Sequence, residues 1–337
     1  MGRSITRLKD IAERTGFSVN TVSLALRESV RIPEETRVVI RQAAEALNYA
    51  PNHVAKSLVS RETKTVGLVL TEITNPMLTH VAQAIELALA ERGYSTLFAT
   101  SNNDLATEKK VIEMFRSRQV DGMLIYPRNH RDLDHIRRLR QANYPVVLLV
   151  ADLDAGIDAV CMDERLGAYR ATRHLIDIGH TRIGVIDGAK PDGNFEKREG
   201  HIKALTEAGL SSDESLVADP MGNAIVRGYW AMDRLMSASN PPTAVLAACD
   251  SLAIGALRWT QKNGLRVPQD VAIIGFDNIE FAEHAATPIS SVNYAVEMVT
   301  ELAVERLIAL IGAGDVLPEP RVTMIDPDLV IRDSTNG

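Results

Sequence analysis

The stretch that decides how the chain reads is Ile11-Ala12-Glu13-Arg14-Thr15-Gly16-Phe17-Ser18-Val19-Asn20-Thr21-Val22-Ser23. Gly16 stands where two short helices would meet. Lacking a Cβ, it can take the left-handed conformation that a tight turn needs. Ser18 is placed to cap the second helix, its hydroxyl accepting from a free backbone N–H. Val22 then turns inward. Asn20, Thr21, Ser23 and Leu24 point outward from the N-terminal half of that helix, as side chains directed toward a DNA major groove do.

Working outward, Leu8, Ile11 and Ala12 form an i, i+3, i+4 apolar stripe, and Val22, Leu24, Ala25 and Leu26 follow on the second segment. Val38, Val39, Ala43, Ala46 and Leu47 predict a third helix, opened by Pro33 at its first position. Asn48-Tyr49-Ala50-Pro51 breaks the pattern. A short helical stretch from Asn52 to Val59 then leads into the polar linker Ser60-Arg61-Glu62-Thr63-Lys64.

From Val66 the texture changes to β-branched runs alternating with helical patterns. Strands are predicted at Val66–Leu70, Thr96–Thr100, Gly122–Tyr126, Val146–Val150, Ala159–Met162, Ile183–Asp187, Ala244–Ala248, Val271–Phe276 and Ser291–Tyr294. Helical patterns such as Met77–Arg92, Leu166–Ile178 and Val296–Ile311 intervene, which indicates doubly wound parallel sheets. Nine strands over about 270 residues divide better into two sheets than one. Gly93, Gly179, Gly209 and Gly264 mark helix ends.

The 337 residues carry a net charge of −7, which by itself argues against a nucleic-acid partner. Its distribution argues otherwise: residues 1–61 hold ten Lys/Arg against six Asp/Glu, so the excess of acid lies entirely in the rest. A basic head on an acidic body suits a protein that touches phosphate at one end. Aromatics are only 4%, too few for single-strand stacking platforms. Cys161 and Cys249 lack zinc-site spacing and make no disulfide framework. No secretory h-region and no transmembrane-length apolar run is present, so a reduced, soluble, cytoplasmic protein without membrane association is expected. The eight His are scattered; His130 and His135 lie five apart without metal-site company, so no metal and no cofactor are expected. No G-x-S-x-G, P-loop or G-x-G-x-x-G motif points to an enzyme.

The head resembles the lactose-repressor/galactose-repressor (LacI/GalR) family. Its D-[IV]-A, G-[VF]-S and T-V-S pattern is met by Asp10-Ile11-Ala12, Gly16-Phe17-Ser18 and Thr21-Val22-Ser23. Pro33-Glu34-Glu35-Thr36-Arg37, Leu47-Asn48-Tyr49-Ala50-Pro51-Asn52 and Val54-Ala55-Lys56-Ser57-Leu58 follow in the family's order. Further on come Ile73-Thr74-Asn75-Pro76, Val120-Asp121-Gly122, Leu175–His180, Gly264–Pro268 and Gly275-Phe276-Asp277-Asn278, so the resemblance covers essentially the whole chain.

The resemblance implies roles residue by residue. Val19 and Asn20 hold the pair that reads base edges, and an Asn bonded twice to adenine discriminates by roughly 1–3 kcal/mol. Ser18, Thr21, Ser23 and Tyr49 match phosphate contacts. Two positions depart from the family: Leu24 stands in place of the usual Arg, and Arg27 in place of the usual Asn. Leu24 cannot donate to guanine and offers a thymine-methyl contact instead; Arg27 offers a phosphate or base contact. Asn52–Leu58 matches the hinge helix, in which Ala55 permits close approach, Lys56 supplies charge and Leu58 is the apolar wedge in the minor groove. Leu58→Ala is therefore expected to weaken specific binding far more than non-specific binding. A mobility-shift titration checks this: equal losses on operator and random duplex would contradict it.

The implied fold is an all-α helix-turn-helix headpiece (1–51), a hinge and linker (52–63), and an α/β body (64–337). The body comprises two doubly wound parallel-sheet lobes like those of periplasmic binding proteins, with lobe 1 at about 64–162 and 293–323 and lobe 2 at about 163–292 and 324–337. Ligands of such sheets lie beyond the strand carboxyl ends, here between lobes. Asp277, Pro76, Met77, Asp163, Tyr126, Asp152 and Asn223 are the candidate effector contacts by position. Lys197 holds the Arg place of the family's Arg-x-x-Gly clamp, with Arg198 beside it and Gly200 in register, and Lys is a point charge rather than a planar fork. Cys249 replaces the Asn usual before Asp250, and both, with Lys197 and Arg198, are further candidate effector contacts. The expected effector is a sugar, polyol or sugar acid. The expected protein is a homodimeric repressor on a near-palindromic double-stranded operator, because the end Arg332–Gly337 carries no apolar heptad tail. A solute-binding protein or an enzyme of the same body fold is the alternative. Salt-dependent duplex binding, lost with residues 1–60, distinguishes the regulator from both.

Overall fold

The headpiece helices form where the caps place them. In the computed structural model, which describes residues 6–50, 62–151, 154–189 and 194–336, α1 (Leu8–Thr15) ends on Gly16 at φ 77°. Helix α2 (Val19–Leu26) is opened by the Ser18 hydroxyl, which accepts the Thr21 N–H at 3.1 Å. Helix α3 spans Glu34–Ala46, with Pro33 as its cap rather than its first residue. The core beneath consists of Ile11, Ala12, Val22, Ala25, Ile40, Ala43 and Ala44. This corrects the expected face of α3. Val38, Val39 and Ala46 are exposed, because Ile40 supplies the bulk that fills the space between α1 and α2 and sets the rotation of the helix.

Residues 64–337 form a separate unit. Its first sheet has the order β11-β5-β4-β3-β1-β2, with β1 Thr65–Leu70, β2 Ser95–Thr100, β3 Gly122–Ile125, β4 Val146–Leu148, β5 Asp158–Met162 and β11 Val322–Ile325, all parallel. The second has the order β12-β10-β9-β8-β6-β7, with β6 Ile183–Ile186, β7 Val217–Ala218, β8 Ala244–Ala247, β9 Ala272–Asp277, β10 Ser290–Asn293 and β12 Asp328–Val330. It is parallel except where β12 runs against β10. The chain passes to the second sheet after Met162, returns after Asn293, and leaves the first sheet finally after Ile325. Each sheet is therefore one lobe of a two-lobed body.

The central strands are buried along their length, as β-branched runs covered on both faces must be. The strands absent from the sequence reading are β7, β11 and β12, and all three are sheet edges. They are two to four residues long and carry no continuous apolar run.

Close helix packing positions the residues between the lobes. A Cβ on Gly200 would run into the Arg165 carbonyl and come 2.9 Å from the Tyr169 nitrogen. Its absence lets helix Glu196–Glu207 lie directly on helix Glu164–Asp177. That contact sets Lys197 against Glu164, with Lys197 Nζ 3.4 Å from Glu164 Oε1. Among the described residues no helix is long and apolar enough to cross a membrane.

Candidate DNA interface and effector cleft

On the headpiece the second helix presents its first turn to solvent. Ser18, Val19 and Asn20 are exposed, Thr21, Ser23 and Leu24 are half-buried, and Val22 is fully buried. Ser18 Oγ and Thr21 Oγ1 are 2.8 Å apart, so the capping pair holds the turn that carries Val19 and Asn20. Arg27 closes α2 and is exposed. Burial raises the Tyr49 hydroxyl above its ordinary range, and the Arg27 charge pulls against that. Asn52, Ala55, Lys56 and Leu58 lie outside the described residues, as does Asp152.

In the body the carboxyl ends of β1, β3, β6, β8 and β9 converge on a cleft of about 170 Å³, lined by residues that include Thr71, Tyr126, Asp187, Ala248 and Asp277. Both lobes contribute. Asn75 caps the helix Pro76–Glu91 by accepting the Met77 N–H at 2.9 Å, so Asn75 and Met77 are held at the lip. From the second lobe come Glu164, Asn194, Lys197, Asn223 and Cys249.

Lys197 is held from several sides. Its Nζ donates to the Ala248 carbonyl at 3.0 Å and lies 4.0 Å from the Phe276 ring centroid. Burial works against its charge, but Glu164 and then Asp277 outweigh burial and raise it above the ordinary lysine range. Asp277 is 6% exposed and has φ 103°, a conformation costly for any residue with a side chain. Burial pushes its carboxyl well up, and Lys197 opposes that shift. Burial likewise raises Asp187 and the Tyr126 phenol. It also pushes the Cys249 thiol up to about 12.

The loop after β3 is anchored from beneath. Buried Glu108 accepts the Arg128 N–H at 2.7 Å and meets His135 Nε2 at 2.7 Å. Asn194, from the other lobe, accepts the His130 N–H at 2.8 Å and donates to the Arg128 carbonyl at 3.1 Å. His130 is thereby carried against the second lobe, its Nδ1 3.3 Å from Glu196 Oε2. Burial pushes the Glu196 carboxyl up, but His130 beside it prevails and holds it below the ordinary range.

Residues 7–52 match the profile described as bacterial regulatory proteins, lacI family, and residues 172–335 match the periplasmic binding protein-like domain. The HTH-type transcriptional repressor PurR of Glaesserella parasuis serovar 5 (strain SH0165) is 30% identical over 98% of both chains. The chain belongs to the lacI family of bacterial regulatory proteins. The ribose operon repressor of Haemophilus influenzae is 31% identical over 97% of this chain and 98% of its own. A solved structure of the transcriptional regulator CelR–cellobiose complex matches with a TM-score of 0.71 and 30% identity, covering 98% of this chain and 99% of that one. Membership in the lacI family makes the chain a DNA-binding transcriptional regulator and not an enzyme.

Measured against this lacI-family architecture, the positions chosen from sequence divide sharply. Met77, Tyr126, Lys197, Asn223, Cys249 and Asp277 line the cleft. Pro76 instead faces an adjoining cavity of about 780 Å³ that shares Met77 and Asp277 with it. Arg198 turns away: its guanidinium meets Glu214 at 3.3 Å, because adjacent residues on a helix point in directions about 100° apart. Asp250 is fully buried, accepting the Ile279 N–H at 2.8 Å and the Ser291 hydroxyl at 2.7 Å; burial pushes its carboxyl up to about 7. Asp163 caps the helix Glu164–Asp177 by accepting the Leu166 N–H at 2.8 Å. Arg198, Asp250 and Asp163 are thus engaged within the protein and do not line the cleft. Glu164, Asp187, Asn194 and His130 were missed. Asp187 directly follows β6 and Glu164 opens the helix just after β5, beside Asp163, so the rule that selected Asp163 could have found both.

Proposed function

We propose that this regulator is a homodimeric repressor whose cleft binds a small, neutral or amine-bearing polyhydroxy molecule rather than a sugar acid. One observation carries the choice: the carboxyls of Glu164, Asp187 and Asp277 share the cleft with the Lys197 ammonium, and Lys197 is already engaged by Glu164 and the Ala248 carbonyl. Carboxylates accept from hydroxyl and amine donors, whereas a ligand carboxylate brought among them would be repelled. The amides of Asn103 and Asn223 add both donors and acceptors at the walls. The volume, below the roughly 300–1,000 Å³ usual for drug-sized ligands, suits a compact effector. The cellobiose named with CelR is likewise neutral and polyhydroxy, although a disaccharide is larger than this cleft.

A ligand that bonds to both walls favours one angle between the lobes and so shifts a two-state equilibrium. Dimerisation is supported by apolar residues on the second lobe: Ile225, Val226 and Trp230 are 45%, 54% and 60% exposed on one helix. Singly exposed apolar residues are ordinary, but a grouped patch marks an interaction surface.

A thermal-shift series on the full chain tests the effector class. Neutral sugars, polyols or amino sugars are expected to raise the melting temperature by several degrees at saturation, since a ligand that prefers the folded state stabilises it. Uronic and aldonic acids are expected to leave it unchanged. A rise with the acids alone overturns the proposal.

A further inference from the structure

We propose that His130, Glu164 and Glu196 form a binding site for a divalent first-row metal ion that bridges the two lobes. These residues come from far-apart stretches: His130 from the loop after β3, Glu164 from the start of helix Glu164–Asp177, and Glu196 from the start of helix Glu196–Glu207. One ligand atom of each lies within 4.8 Å of the others, and all three residues are buried.

Two observations point to an ion rather than to a set of mutual contacts. Glu196 is 8% exposed and has His130 as an ion-pair neighbour, yet neither of its carboxylate oxygens has an aligned hydrogen bond among the described residues. A buried, unsatisfied carboxylate is costly, and such groups are normally paired or coordinate a metal. His130 Nδ1 approaches Glu196 Oε2 at 3.3 Å without the alignment of a hydrogen bond. That spacing is what two ligands on neighbouring positions of one ion have when each bond is about 2.0–2.2 Å. Acceptors gathered around an organic ammonium instead stand farther apart, because N–H···O bonds are about 2.9 Å long.

Three points no farther than 4.8 Å apart share a centre within about 2.8 Å of each, so small side-chain rotations reach metal–ligand distances. Imidazole with two carboxylates suits zinc or manganese, and three protein ligands leave further positions open. Lys197 does not block the site. Its Nζ lies 3.4 Å from Glu164 Oε1 and has the Ala248 carbonyl and the Phe276 ring as other partners. Because His130 belongs to one lobe and both glutamates to the other, a bound ion would tie the lobes together at the edge of the cleft.

The test uses the full, untagged chain, stripped with chelator and titrated with Mn²⁺ alone, free ion being read by electron paramagnetic resonance; Zn²⁺ is titrated by calorimetry. One saturable equivalent per chain is expected. Glu196→Gln and His130→Asn are each expected to weaken binding at least about ten-fold, with circular dichroism reporting whether they fold. Absence of a saturable equivalent in the natural chain overturns the site whatever the variants do, as does unchanged binding in folded variants. Stabilisation by ethanolamine without binding of either metal overturns it too, and assigns the carboxylates to an organic cation. No effector enters the titration, so failure here leaves the proposed effector class standing.

Discussion

Gly255→Ala lowers the melting temperature of the full chain, although alanine is the better helix former. In an exposed helix the exchange stabilises by about 1 kcal/mol. Here the helices Ile225–Met236 and Asp250–Lys262 cross with Gly228 and Gly255 at the contact. A Cβ on Gly255 would overlap the Ile225 carbonyl and stand 2.7 Å from the Tyr229 nitrogen. These are backbone atoms and cannot rotate aside, so the helices must separate, and both cover the second sheet. Overpacking of this kind costs at least about 1–3 kcal/mol. At about 2–4 °C per kcal/mol for a domain of this size, a fall of several degrees is expected. Gly312 is the control. It closes the helix Val296–Gly312 and would place its Cβ in open space, so Gly312→Ala is expected to hold or slightly raise the melting temperature. Scanning calorimetry of the pair checks the sign: a higher melting temperature for Gly255→Ala contradicts the packing described.

Asp277→Asn is expected to weaken effector binding about ten-fold or more while leaving the effector-free chain folded and able to bind DNA. The side chain ends β9 in the cleft, near Lys197, on a backbone at φ 103° that Asn tolerates better than Ala. A carboxylate accepts two hydroxyls of a diol at once; an amide of the same shape accepts only with its oxygen. Hydrogen bonds to charged groups contribute about 1.5–3 kcal/mol, which sets the expected size of the loss. Calorimetry with the compound found by thermal shift measures it. Equal affinity in the two chains would place the effector away from Asp277, outside both the cleft floor and the adjoining cavity that Asp277 also lines.

The local signals were legible because they act over a few residues. The Gly16 turn, the Ser18 cap and the buried β-branched runs of the central strands each follow from side-chain chemistry at one place. Edge strands were not legible, since Val217–Ala218 and Asp328–Val330 draw their order from a neighbouring strand rather than from their own composition. The face of α3 was misjudged because Val38 and Val39 look more apolar than Ala43 and Ala44, while only packing against α1 and α2 selects Ile40. In the cleft, the choice of Lys197 over Arg198 depends on helix rotation, and sequence position alone does not give it. The fate of Asp250 depends on Ser291 and the Ile279 N–H, which the fold delivers from other strands and loops. The His130–Glu164–Glu196 cluster was invisible for the same reason: it is assembled from residues of both lobes that are far apart in the chain.

The central claim is that a molecule in this cleft controls the affinity of the headpiece for DNA. Its most direct test is fluorescence anisotropy on a duplex selected in vitro with the full chain, titrated with and without saturating effector, for the natural chain and for Asp277→Asn. The predicted result is a shift in Kd of about 5–150-fold in the natural chain, the usual span of allosteric coupling, and at the same effector concentration a much smaller shift in Asp277→Asn. An operator Kd that does not move with effector, or that moves equally in both chains, contradicts the claim.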